Sequence, residues 1–164
     1  MNQLKIPLGF LLTTMAFSSL KAEEPKERFR VGLVASFPIS DFKDSTSSAG
    51  PGISAGWSFW TISPNTSAGM YLENGWYSAD SGTAVLTNLG FEMRSRLNGG
   101  FYDRYGIGAV RVKAPTSEAT IKLGGVFGFG YRFSDAVGIE LYGAFLASSQ
   151  PPASTLNMAV VWNF

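Results

Sequence analysis

The sequence has 164 residues, enough for one domain and not two, and carries a formal net charge of +1, which gives no reason to expect a nucleic-acid partner. It has no cysteine, which excludes disulfides, thiolate chemistry and a lipid-anchored cysteine, and no histidine, which removes the commonest general base and metal ligand. Only 15% of its residues are charged, against about 25% in an ordinary soluble domain, so a water-facing surface would be hard to cover.

In chain order the first element is an export signal over residues 1–22. Lys5 supplies the positive start, Ile6 to Phe17 is mostly apolar, and Ala22 offers a small residue before Glu23-Glu24-Pro25-Lys26-Glu27. The apolar run is too short for a membrane-spanning helix, which takes about 20 residues. Residues 23–164 are then the expected mature domain, and nothing in them approaches a transmembrane helix.

After residue 27 the pattern has a period of two, the signature of strands. Phe29, Val31, Leu33, Ala35 and Phe37 form one apolar set; Leu156, Met158, Val160, Trp162 and Phe164 form another. The longest alternation runs from Ala119 through Ile121, Leu123, Gly125, Phe127, Phe129 and Tyr131 to Phe133, with Thr120, Lys122, Gly124, Val126, Gly128, Gly130 and Arg132 between. Eight strands are predicted, over 28–37, 52–62, 68–77, 83–96, 102–112, 118–133, 137–147 and 155–164. The third and fifth show the weakest pattern, because Asn74 and Arg111 interrupt their apolar faces. Ser63-Pro64-Asn65, Asn98-Gly99-Gly100 and Pro151-Pro152 are the breakers between runs.

Parity tests one hairpin. Opposed residues share a face, and pairing Phe133 with Val137 sets Phe127 opposite Gly143 and Gly125 opposite Phe145. Aromatic rings then lie over glycines on one face. On the other face Gly130 stands opposite Glu140, and Arg132 opposite Gly138.

Alternation alone does not say which face points outward. The face without large apolar groups is rich in glycine (Gly32, Gly90, Gly106, Gly108, Gly124, Gly128, Gly130), poor strand chemistry for a solvent face but useful space in a narrow lumen. The apolar face carries too many Phe, Trp and Tyr side chains to fit inside eight strands. Its aromatics gather near strand ends: Phe29, Trp60, Tyr105, Phe133, Trp162 and Phe164 at one rim, Phe37 and Trp76 at the other, as at membrane interfaces. The expected fold is therefore all-β, a transmembrane antiparallel up-and-down barrel of eight strands with its apolar face toward lipid. The even strand count returns both ends to the periplasmic side.

These features resemble the small outer-membrane β-barrel proteins, the OmpA-like and OmpX-like group of eight-stranded barrels. The most specific part is Leu156-Asn-Met158-Ala-Val160-Val-Trp162-Asn-Phe164, and the stretch from Gly128 to Tyr142 looks like that group's penultimate hairpin. The resemblance implies an outer-membrane location. It also implies that the last strand is read by the barrel-assembly machinery, with Trp162 and Phe164 as the assembly signal, and that the peptidoglycan-binding domain of longer OmpA-type proteins is absent. It says less about activity.

Candidate chemistry is sparse. Outer-membrane barrel enzymes depend on a histidine beside Ser or Asp, so no catalytic residue, cofactor or metal is expected here, and the loop serines lack a base. Asp41, Asp44 and Asp80 read as solvated loop acids rather than cation ligands. The glycine run 124–130 is strand packing, not a phosphate loop. The informative residues are the charges that alternation sends into the lumen: Arg30, Glu92, Arg94, Arg104, Lys122, Arg132 and Glu140. Charges in a narrow barrel must pair, because each desolvated ion costs several kcal/mol. A salt-bridged plug is the favoured reading, with a non-enzymatic structural or surface-contact role in the envelope. The alternative is a gated narrow channel or a conduit for a small hydrophobic molecule.

Overall fold

The computed structural model describes residues 29–39, 41–44, 46–147 and 154–164. The expected export signal and its cleavage after Ala22 lie outside the described residues. Eight strands follow in order: β1 (Phe29–Ile39), β2 (Gly50–Ser63), β3 (Thr66–Ala79), β4 (Gly82–Arg96), β5 (Phe101–Lys113), β6 (Thr120–Arg132), β7 (Val137–Leu146) and β8 (Ser154–Asn163). Each end lies within two residues of the position that alternation predicts. A single helical turn, α1 (Asp41–Asp44), sits between β1 and β2.

Each strand pairs antiparallel with its sequence neighbours, and β1 closes on β8 from Arg30↔Asn163 to Ile39↔Ser154. Closure leaves no open edge, so every strand finds partners on both sides. Short turns join the strands at the lower end, where Phe29 and Phe164 exchange backbone hydrogen bonds of 3.2 and 2.8 Å. The turn between β4 and β5 is tight because Gly99 and Gly100 adopt φ of 70° and 86°, a region that glycine reaches without steric cost. The upper end carries α1 and the connections between β3 and β4, β5 and β6, and β7 and β8.

The β6–β7 hairpin has the register that parity selects: Gly125↔Phe145, Phe127↔Gly143, Gly130↔Glu140 and Arg132↔Gly138. The Phe145 ring lies beside Gly125, where an added Cβ would come within 2.9 Å of it. Strand β2 departs from strict alternation. Its register shifts between Ser58 and Trp60, a β-bulge that leaves Phe59 and Trp60 both facing out, at 46% and 45% exposure. Without the extra residue Trp60 would turn into the lumen.

The two faces separate cleanly. Leu33, Phe91, Ile107, Leu123, Phe129, Leu141 and Met158 stand exposed on the outer wall, as do the rim aromatics Phe29, Trp60, Tyr105, Phe133, Phe164 and Phe37. Rings touch along this wall, Phe29 stacking on Trp57 and Tyr105 on Phe127, each with centroids 6.2 Å apart. The buried interior holds Tyr71, Tyr102, Tyr142, Val126 and Val161 together with Arg30, Glu92, Arg104 and Glu140. The molecule is apolar outside and charged inside, the reverse of a water-soluble barrel.

Candidate functional site

The lumen holds the chemistry, and its lower half is built by five strands. Arg30 enters near the start of β1, Glu73 from the middle of β3, Glu92 and Arg94 from the end of β4, Arg104 from the start of β5, and Glu140 from the start of β7. Glycines on the same face give these side chains room. A Cβ at Gly56 would lie 3.0 Å from both Arg30 Nη2 and Glu92 Oε1. At Gly106 it would meet the Tyr71 ring at 2.6 Å.

Arg104, 1% exposed, is the centre. Its Nε donates to Glu92 Oε2 at 2.7 Å, its Nη2 to Glu73 Oε1 at 2.7 Å and its Nη1 to Glu140 Oε2 at 3.2 Å. Arg30 spans two of the same carboxylates, donating from Nη1 to Glu140 Oε2 at 2.6 Å and from Nη2 to both oxygens of Glu92 at 2.9 and 3.0 Å. Arg94 reaches Glu140 Oε1 at 3.3 Å, and Tyr102 donates its hydroxyl to that oxygen at 2.8 Å. Among the described residues these ion pairs join three arginines to three glutamates, so the set is close to neutral and its charges compensate one another within the wall.

Tyrosines complete the filling. The Arg104 guanidinium lies 4.6 Å from the Tyr142 ring centroid and 5.3 Å from that of Tyr71, and Arg94 lies 4.4 Å from that of Tyr102. Arg132 sits at the lower mouth, half-buried, 5.6 Å from the Tyr102 ring. Lys122 lies apart from the cluster. It is exposed, stands opposite Val110 and lies only two residues from the upper start of β6, at the mouth and away from the lower lumen.

Above the charges the lumen turns apolar. The first apolar layer begins among the charges themselves, where Tyr71, Val126, Tyr142, Ala144, Ala159 and Val161 pack together and Tyr71 donates to Asn88 Oδ1 at 2.9 Å. Higher still, Ser36, Tyr77, Asn157 and Thr155 form a hydrogen-bonded ring in which Ser36 contacts both Tyr77 and Asn157. At the top, Phe42 from α1 packs edge-on against Tyr77, with centroids 5.0 Å apart, over Leu86, Val110 and Leu146. Alternation alone does not single out the lumen tyrosines; their positions opposite glycines, Tyr102 with Gly130 and Tyr142 with Gly128, are the signal in the sequence that marks them.

Solved structures share this architecture. The attachment invasion locus protein Ail of Yersinia pestis, in complex with the heparin analogue sucrose octasulfate, matches with a TM-score of 0.55 at 11% identity, over 84% of this chain and 97% of that one. The N-terminal β-barrel domain of Pseudomonas aeruginosa OprF matches with a TM-score of 0.53 at 14% identity, covering 85% and 100% of the two chains. The fold is that of the eight-stranded outer-membrane barrels. Neisserial surface protein A shares the same outer-membrane-barrel fold, with a TM-score of 0.53 at 14% identity over 87% of this chain and 99% of its own. No protein-family model and no curated protein matches the sequence.

Proposed function

We propose that this protein is a non-enzymatic outer-membrane barrel whose lumen is sealed by its ion-pair plug, serving the cell envelope as a structural element and meeting the surroundings through its upper loops. The observation that carries this is Arg104, which binds Glu73, Glu92 and Glu140 from three other strands at once. An ion crossing that level must displace at least one of these pairs, and breaking a buried pair by removing one partner costs about 3–5 kcal/mol. The missing histidine supports the non-enzymatic part, since the serines and carboxylates have no imidazole base. The exposed apolar wall with its rim aromatics supports membrane residence after export, and outward Trp162 and exposed Phe164 support recognition of β8 by the assembly machinery.

Planar-bilayer recording of the purified protein tests the plug. Silent bilayers are the expected result, and reproducible single-channel steps would refute it. The apolar cluster of Phe42, Leu86, Val110 and Leu146 favours a second reading, a conduit for a small apolar solute entering from above. Uptake of an apolar dye into proteoliposomes, beyond that into empty liposomes, would support that conduit against the sealed barrel.

A further inference from the structure

The outer wall carries almost no charge. Among the described outward-facing strand residues the charged ones are Asp103, Arg111 and Lys113, all on β5. Asp103 lies at the lower end and is engaged locally, accepting the Ser95 backbone N–H at 3.0 Å and the Tyr105 hydroxyl at 2.6 Å. Arg111 and Lys113 lie at the upper end, two residues apart on one face, both exposed, and neither forms an ion pair with any described residue.

Their surroundings are polar in the same place. Arg111 stands opposite Thr87 on β4, and Thr87 opposite Asn74 on β3, where the Thr87 hydroxyl donates to Asn74 Oδ1 at 2.5 Å. Lys113 stands opposite Val85, itself opposite Trp76 of the upper aromatic rim. From Asn74 and Thr87 a groove of about 460 Å³ runs across the wall over Leu72, Ile53, Ala55, Leu33 and Trp162. A polar, cationic head and an apolar trough therefore adjoin on the outside of the barrel.

We propose that Arg111 and Lys113, flanked by the Thr87–Asn74 pair, bind the phosphate headgroup of a phosphorylated lipid in the outer leaflet, with an acyl chain lying in the adjacent groove. The inference rests on the reading above that the wall faces lipid and that this end of β5 is the outer one. A cation on a lipid-facing wall is tolerated near the interface and disfavoured at depth, and a phosphate there supplies the missing counter-charge. Arg111 offers a fork of donors matched to phosphate oxygens, and Lys113 a second positive charge on a flexible stem.

Native mass spectrometry of the full chain refolded in zwitterionic micelles tests this, with diphosphorylated lipid A, its dephosphorylated form, phosphatidylcholine and inorganic phosphate as probes. The wild type is expected to retain diphosphorylated lipid A above the other three. Arg111→Gln and Lys113→Gln should each weaken that binding by about fivefold, and together by about thirtyfold. Lys43→Gln, which removes a cation of α1 outside the site, should leave it unchanged. Equal binding by the double variant, by the dephosphorylated lipid or by inorganic phosphate would overturn the proposal, as would an equal loss on Lys43→Gln. Failure of the wild type to fold in micelles, seen before lipid is added, would count against the barrel reading itself and against this site with it. Channel activity would refute only the plug.

Discussion

The Tyr102 ring lies directly over Gly130, on the neighbouring strand, and from there its hydroxyl donates to Glu140 Oε1 at 2.8 Å. A Cβ at Gly130 would lie 2.1 Å from Tyr102 Cζ, so the absent side chain is what lets the tyrosine hold the carboxylate. Gly130→Ala should destabilise the folded barrel by about 1–3 kcal/mol, the usual cost of overfilling a packed site. Equilibrium unfolding from phospholipid vesicles in urea checks it, and an unchanged midpoint would mean that the ring moves aside freely.

Arg104 is expected to be the most sensitive charge. Arg104→Ala leaves Glu73, Glu92 and Glu140 short of a partner and should cost about 3–5 kcal/mol by the same unfolding assay. Lys122→Ala, at the exposed mouth, should change stability by less than about 0.5 kcal/mol. Similar losses for both would deny the ion-pair cluster its central place.

The outer wall makes the opposite demand. Ile107 is 59% exposed at the middle of β5, and Ile107→Arg should cost about 2–4 kcal/mol in a bilayer, the depth-dependent cost of an arginine at the midplane. A loss under about 0.5 kcal/mol in vesicles would indicate that Ile107 faces water.

Phe164 is expected to separate folding from delivery. Its ring is 70% exposed while its backbone closes on Phe29. Phe164→Ala should lower the amount of heat-modifiable barrel recovered from outer membranes of expressing cells while leaving refolding in micelles nearly unchanged. Equal losses in both settings would assign the ring a packing role instead.

Most of the barrel was legible because period-two alternation and glycine spacing act locally. The β6–β7 register followed from parity alone, with Phe145 over Gly125 as its check. The bulge at Ser58–Trp60 was not, since one inserted residue leaves no compositional mark. Parity alone sends Arg30, Glu92, Arg94, Arg104 and Glu140 into the lumen, but which carboxylate each arginine meets depends on how far the strands are staggered on closure. That stagger brings Glu73 into the cluster and leaves Lys122 at the mouth. Asn74 and Arg111, which weakened the strand pattern, still face outward and mark the polar patch on the wall.

The inside-out arrangement of the barrel turns on which face meets lipid, and a chain without cysteine allows spin labels to be placed one at a time. Labels on Leu123→Cys and Val126→Cys, three residues apart on opposite faces of β6, can be compared in vesicles for collisions with lipid-soluble oxygen and with a water-soluble nickel chelate. The expected result is strong oxygen and weak nickel access at position 123, and little of either at position 126. Strong nickel access at 123, or oxygen access that favours 126, would contradict the inside-out barrel.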